Sequence, residues 1–205
     1  MKIKICGITS LEDALDAISL GVNAIGFIFY KHSSRYISPE KAEEIVLNLP
    51  PFVHTVGVFV NQEKDEVNDI VKRCKLDIVQ LHGDESPSFC MDMTRRVIKA
   101  IPVADLDDLN QIIKYQGLVS GILLDTKDRD NYGGTGRSFD WGIALKAKEF
   151  DMPLILAGGV NISNIQRAIR LINPYGIDIS SGVELSPGKK DYNKMKEFLE
   201  VAHTL

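Results

Sequence analysis

The stretch Ile3-Lys4-Ile5-Cys6-Gly7-Ile8-Thr9-Ser10 carries the pattern on which the fold turns. A short apolar run ends in a reactive side chain, a glycine follows at once, and Ser10 caps the start of a helix. Asp13 stands where a capping box places an acid. Leu11, Ala14, Leu15 and Ile18 then share one helical face, and Gly21 supplies the stop.

Working outward, the same unit recurs. Apolar runs lie at 2–6, 24–29, 55–60, 78–82, 97–101, 121–125, 154–157 and 176–180. They are rich in Ile, Val and Leu with little strict alternation, as suits strands buried on both faces of a parallel sheet. Helical patterns separate them. Ser38-Pro39-Glu40 starts one with proline at the first position, and its apolar face is Ala42, Ile45, Val46 and Leu49. Ile165, Ala168, Ile169 and Ile172 form another such face, and Met195, Phe198, Leu199 and Ala202 the last. Eight strand–helix units in 205 residues predict an α/β chain of one domain, residues 1–205, folded as a (β/α)8 TIM barrel near the lower size limit. An open doubly wound sheet alternates in the same way. Two features favour the barrel: the count of eight, and the absence of a GxGxxG loop after the first strand.

Composition narrows the function. Hydrophobic residues at 44% and charged residues at 25% match a soluble globular protein. A net charge of −4 offers no basic field for nucleic acid or an anionic membrane. Cys6, Cys74 and Cys90 are odd in number and form no CxxC pair, which argues against a disulfide framework or a cysteine zinc site and for a reducing, cytoplasmic setting. No apolar run reaches 18 residues and no signal-like start is present, so neither secretion nor a membrane span is expected.

In a barrel every second strand residue points inward. That parity predicts a polar upper interior of Lys4, Cys6, Gln80, His82, Asp125, Asp178 and Ser180, with Lys99 as a possible addition. Burying unpaired polar groups costs on the order of 2–7 kcal/mol each, so a packing core would not select them. For Lys4, Lys99 and Asp178 a satisfied ion network without chemistry is an equally good reading. Cys6 and Asp125 end strands, where catalytic residues of this fold gather. A base role for Cys6 requires the thiolate, which the ammonium of Lys4 would favour. Ala157-Gly158-Gly159-Val160 and Ser180-Ser181-Gly182-Val183 follow the seventh and eighth strands. Their small residues let backbone N–H groups approach an anion, and phosphate is expected between them. Asn161-Ile162-Ser163 opens a helix after the first of them, and a short helix starting after Ser181 would add its positive end. Arg35, in the loop after the second strand, would clamp a carboxylate, unless it is only a solvated surface charge. Gly133-Gly134-Thr135-Gly136 beside Asp125 reads as a closing lid or as a plain flexible loop, with Phe139 and Trp141 at its base. His32, His54, His82 and His203 are scattered, and no three-ligand metal site is expected.

The motifs Lys4-Ile5-Cys6-Gly7-Ile8-Thr9, Gly26-Phe27-Ile28-Phe29-Tyr30, Ser34-Arg35-Tyr36, Val56-Gly57-Val58-Phe59-Val60-Asn61, Gln80-Leu81-His82-Gly83-Asp84-Glu85, Leu124-Asp125-Thr126, Tyr132-Gly133-Gly134-Thr135-Gly136, Leu156-Ala157-Gly158-Gly159 and Asp178-Ile179-Ser180-Ser181-Gly182-Val183-Glu184 together resemble the phosphoribosylanthranilate isomerase family along nearly the whole chain. The resemblance implies an Amadori rearrangement of N-(5-phosphoribosyl)anthranilate in tryptophan synthesis. It implies Asp125 as general acid, Cys6 as general base and Arg35 on the anthranilate carboxylate. Gly158, Gly159, Ser180, Ser181 and Gly182 would hold phosphate, and His82 and Asp178 would touch substrate. No cofactor is implied, and a monomer and a homodimer stay equally open. A histidine-pathway sugar-phosphate isomerase would carry carboxylates at both rim positions, and a Schiff-base aldolase would use Lys99 or Lys4. A metal-dependent epimerase would need a metal. A phosphosugar-binding barrel without turnover would have no use for Cys6 and Asp125.

Overall fold

Eight parallel strands pair in chain order and close on themselves in the computed structural model, which describes residues 1–127 and 140–204. They are β1 (Lys2–Cys6), β2 (Ala24–Ile28), β3 (His54–Phe59), β4 (Ile78–Leu81), β5 (Arg96–Val103), β6 (Gly121–Thr126), β7 (Leu154–Leu156) and β8 (Gly176–Ile179). Each coincides with one of the eight apolar runs to within two residues. The doubly wound alternative is excluded by the pairing of β1 with both β2 and β8. A small antiparallel hairpin, β9 (Glu184–Ser186) with β10 (Lys189–Lys190), follows the barrel.

Helices α1 (Leu11–Ser19), α2 (Pro39–Leu47), α3 (Lys64–Arg73), α4 (Pro87–Met91), α5 (Trp141–Ala147), α6 (Ile165–Ile172) and α7 (Tyr192–His203) alternate with the strands. After β5 the connection is a 3-10 helix, Asp107–Tyr115. Ser10 caps α1 by accepting the Asp13 N–H at 3.1 Å. The capping-box expectation fails in its other half: the Asp13 carboxylate accepts the backbone N–H of Lys190 at 3.0 Å and so ties α1 to the hairpin. Gly21 ends the helix at φ +87°, a conformation that costs glycine least. Leu15, expected on the buried face, is exposed, and Ala17 replaces it inside.

Two apolar layers result. The larger lies between barrel and helices and includes Ile5, Phe27, Leu81, Leu124 and Phe198. The smaller lies inside the barrel and comprises Ile98, Ala100, Leu123 and Ala157. Strand register puts Lys4 level with Ala24 and Asp178, and Cys6 level with Gly26. Gln80 stands level with Val58 and Ile98, and Asp125 with Pro102. These residues share the inner face. Lys99 does not. It is level with Leu81 and Ile122 of the outer layer, so strand parity removes it from the barrel interior. There it is buried, 3.3 Å from Glu85, and its ammonium donates to the carbonyls of Leu81, Gly83 and Ala100. It ties down the turn that follows His82. Burial pulls its pKa down while Glu85 supports the charge.

Removing one partner of a buried pair strands the other charge. Lys99→Met should therefore lower unfolding free energy by about 3–5 kcal/mol, read from the urea midpoint. A loss below about 1 kcal/mol, the range of exposed pairs, would show that the pair does not secure this turn.

Candidate active site

Cys6 ends β1 because Gly7 turns the chain at φ +78°. A Cβ at Gly7 would lie 2.7 Å from Arg35 Cδ, so the same glycine also gives Arg35 its passage into the site. Across the pair, Gly26 makes room for the thiol: a Cβ there would fall 2.8 Å from Cys6 Sγ and 2.9 Å from Lys4 Cε. Asp125 is held at the end of β6. Its Oδ1 accepts the Thr126 N–H at 2.8 Å, and its Oδ2 lies 3.1 Å from His82 Nε2. Gly158, at φ +71°, brings the β7 loop against it; a Cβ there would meet Asp125 Oδ1 at 2.9 Å.

Cys6, Arg35, His82, Asp125 and Asp178 line one pocket at the C-terminal mouth of the barrel, together with Gly158, Gly159, Ser180 and Ser181. Gly182 stands behind this lining, where a Cβ would come 2.6 Å from the Val160 carbonyl and hold the two loops apart. Ser181–Val183 is a 3-10 turn, where the sequence suggests a short helix starting after Ser181. The helix after β7 begins at Ile165, four residues later than the sequence suggests, because Asn161 and Asn164 turn their amides onto the Gly159 carbonyl at 2.9 Å each. The expected lid, Gly133, Gly134, Thr135 and Gly136, lies outside the described residues, as does Phe139. Trp141 is buried at the start of α5.

Beneath the pocket the polar side chains are connected. Lys4 donates to Asp178 Oδ2 and to Gln80 Oε1, each at 2.8 Å. Asp178 Oδ1 is buried without a hydrogen-bond partner among the described residues. Burial drives the Cys6 thiol above its ordinary pKa; Lys4 opposes this, Asp178 adds to it and Lys190 opposes it again. The expected influence of Lys4 is present in sign but is outweighed, because removing a thiolate from water costs more than one neighbouring ammonium returns. Lys4 itself is held protonated: desolvation works against the charge, but Asp178 and Cys6 more than offset it.

Arg35 is buried rather than solvated. Its Nε and Nη2 donate to the Glu184 carboxylate at 2.9 and 2.7 Å. Glu184 also accepts from Lys190 Nζ at 2.7 Å. Burial would raise the Glu184 carboxyl, but the bonds from Arg35 and the charge of Lys190 hold it below the ordinary value. Neither Glu184 nor Lys190 was assigned a role from the sequence. A signal existed: they flank the turn Ser186-Pro187-Gly188-Lys189, and a hairpin reading of that turn pairs them across the strands. Among the described residues no group of three His, Cys, Asp or Glu side chains could hold a metal ion, and no helix is long and apolar enough to cross a membrane.

Residues 3–201 match the family model described as N-(5'phosphoribosyl)anthranilate (PRA) isomerase. The N-(5'-phosphoribosyl)anthranilate isomerase of Geotalea uraniireducens is 52% identical over 204 residues, covering 100% of this chain and 99% of that one. The phosphoribosyl anthranilate isomerase of Thermotoga maritima superposes with a TM-score of 0.93 at 43% identity, each chain covered in full. A phosphoribosyl anthranilate isomerase structure in complex with reduced 1-(o-carboxyphenylamino)-1-deoxyribulose 5-phosphate gives a TM-score of 0.90 at 42% identity, again over both full chains.

A buried thiol with a raised pKa should react slowly at neutral pH. Carbamidomethylation of Cys6, followed by peptide mass spectrometry, should show a midpoint above the roughly 8.5 of a free thiol. In Lys4→Met the midpoint should rise further, since a cation that stabilises the thiolate is gone. An unchanged midpoint in that variant would remove Lys4 from the environment of the thiol.

Proposed function

The chain belongs to the N-(5'-phosphoribosyl)anthranilate isomerase family, and we propose that it converts N-(5-phosphoribosyl)anthranilate to 1-(2-carboxyphenylamino)-1-deoxyribulose 5-phosphate with Asp125 as acid and Cys6 as base. The activity is that of the family, a step of tryptophan biosynthesis. The observation that carries the division of roles is that a thiol from β1 and a carboxyl from β6 line one pocket between a buried guanidinium and two glycine-bearing loops.

Asp125 gives its proton to the ribose ring oxygen. The C1–O bond breaks, and the anilino nitrogen lone pair forms the C1=N iminium. Cys6, as thiolate, takes the proton from C2, and the electron pair moves into C1=C2 while the nitrogen regains its lone pair. The resulting enolamine takes a proton at C1 and releases the proton of its C2 hydroxyl, so that C2 becomes the ketone carbonyl. The substrate nitrogen is the electron sink, so no cofactor is required by the chemistry. A raised thiol pKa makes the thiolate rarer, but each one is a stronger base. This suits removal of a weakly acidic C–H once the iminium has formed.

Arg35 faces the anthranilate carboxylate with the part of its fork that Glu184 leaves unused. Asp178 accepts the anilino N–H in this reading; its buried Oδ1 has no hydrogen-bond partner among the described residues, which supports it. Phosphate sits on Gly158, Gly159, Ser180 and Ser181. Gly182, behind the lining, supports the backbone rather than touching the anion. Lys99, on the outer face of the barrel, leaves a Schiff-base aldolase without that nucleophile. The three unpaired cysteines suit a reducing cytoplasm.

Turnover is followed by the loss of phosphoribosylanthranilate fluorescence in the presence of chelator. Asp125→Asn and Cys6→Ala should each reduce kcat by about 10²–10⁴-fold, the usual contribution of one acid or base, while product still binds. Near-wild-type turnover in either variant would remove that residue's role.

A further inference from the structure

Gln80 is 1% exposed and sits on the inner face of β4, level with Val58 and Ile98. An amide has no packing reason to be there, and the reaction as written gives it no task. Its two ends, however, meet groups of unequal chemistry. Lys4 Nζ lies 2.8 Å from one end, and an ammonium only donates. Lys4 is kept an ammonium by Asp178, 2.8 Å away. The end facing Lys4 must therefore be the carbonyl oxygen, which assigns the NH2 to the other side. That NH2 lies 3.0 Å from His82 Nδ1. An NH2 group donates, so Nδ1 must accept and carries no proton. The ring proton then resides on Nε2, 3.1 Å from Asp125 Oδ2. With the Thr126 N–H on Oδ1 at 2.8 Å, each oxygen of Asp125 has one donor, and the carboxyl plane is fixed relative to the pocket.

From this geometry we infer that Gln80 is a positioning residue: relayed from Lys4, its amide holds His82 in the Nε2–H tautomer, and His82 in turn orients Asp125. The three donors point one way along the line Lys4 to Gln80 to His82 to Asp125. Reversing any one of them sets donor against donor. The same ammonium stands beside Cys6, so one buried charge both biases the base and orients the acid. The kinetic consequence rests on Asp125 being the acid; the tautomer does not.

The test is the long-range 1H–15N correlation of the His82 ring in substrate-free enzyme at neutral pH, assigned by its loss in His82→Asn. Wild type should show a pyridine-like Nδ1 and a pyrrole-like Nε2. A pyrrole-like Nδ1, or protons on both nitrogens, overturns the inference without any variant. Gln80→Glu places an acceptor against Nδ1 and should move the proton there. Gln80→Met keeps the volume without either polar end and should leave the two tautomers mixed. In both variants kcat should fall on the order of tenfold, less than the 10²–10⁴-fold of losing the acid itself, with KM little changed. A wild-type ring pattern in Gln80→Glu, or a wild-type kcat once the tautomer has moved, overturns the positioning role. Full turnover in Asp125→Asn instead removes the acid assignment, and the wild-type ring spectrum still decides the tautomer.

Discussion

The ion pair between Lys4 and Asp178 is the constraint from which the site is built. It joins the first strand to the eighth at matching register, where the barrel must close, and its two charges are 2.8 Å apart with almost no exposure. Such a pair is an expensive way to close a sheet, because desolvating two ions offsets most of their attraction. Apolar residues of similar volume would close the seam as well. The seam residues are therefore better explained by what they serve. Lys4 interacts with the Cys6 thiol, with the Gln80 amide that reaches His82, and with the Asp178 carboxylate, which lines the pocket.

The interior is graded along the barrel axis. Ile98, Ala100 and Leu123 pack inside the barrel as an ordinary core, and Ala157 extends that cluster to the pocket lining. Above them the pocket lining mixes apolar side chains such as Ile28 and Val58 with the polar groups of Gln80, His82, Asp125 and Asp178. Stability comes from below and from the outer layer, while the upper layer spends part of it on fixed orientation. Catalysis gains from dipoles that do not reorganise during reaction, and buried, doubly held side chains have little freedom to do so. The Arg35–Glu184–Lys190 cluster applies the same principle at the rim. The Arg35 guanidinium, with two of its nitrogens held by Glu184, has little rotamer freedom left to lose on meeting any further partner.

Glycines mark where this arrangement leaves no space. Gly7, Gly26 and Gly158 each lie within 3 Å, at a virtual Cβ, of Arg35, of Cys6 and Lys4, or of Asp125. Two of them also adopt positive φ. Loop flexibility is a weaker account of these residues than close approach. At each, any side chain would displace a group that the chemistry uses.

The eight strands, most of the helix faces and the candidacy of Cys6, Asp125 and Asp178 were legible in the chain itself. Periodicity and strand-end position are local properties, and strand parity carries them inward. Lys99 was misplaced because parity depends on register, and a shift of one residue moves a side chain to the other face. Glu184 and Lys190 were not assigned because their partner, Arg35, lies about 150 residues away along the chain. Such charge pairing leaves no periodic trace. The capping role of Asp13 was displaced for a similar reason: a backbone N–H of Lys190, brought near only by folding, competes for the same carboxylate. The sequence by itself thus determined the barrel and the residue types at its mouth, since burial patterns repeat along the chain. Only the tertiary structure decided which polar atoms face which, because hydrogen-bond direction is set by contacts between strands far apart in sequence.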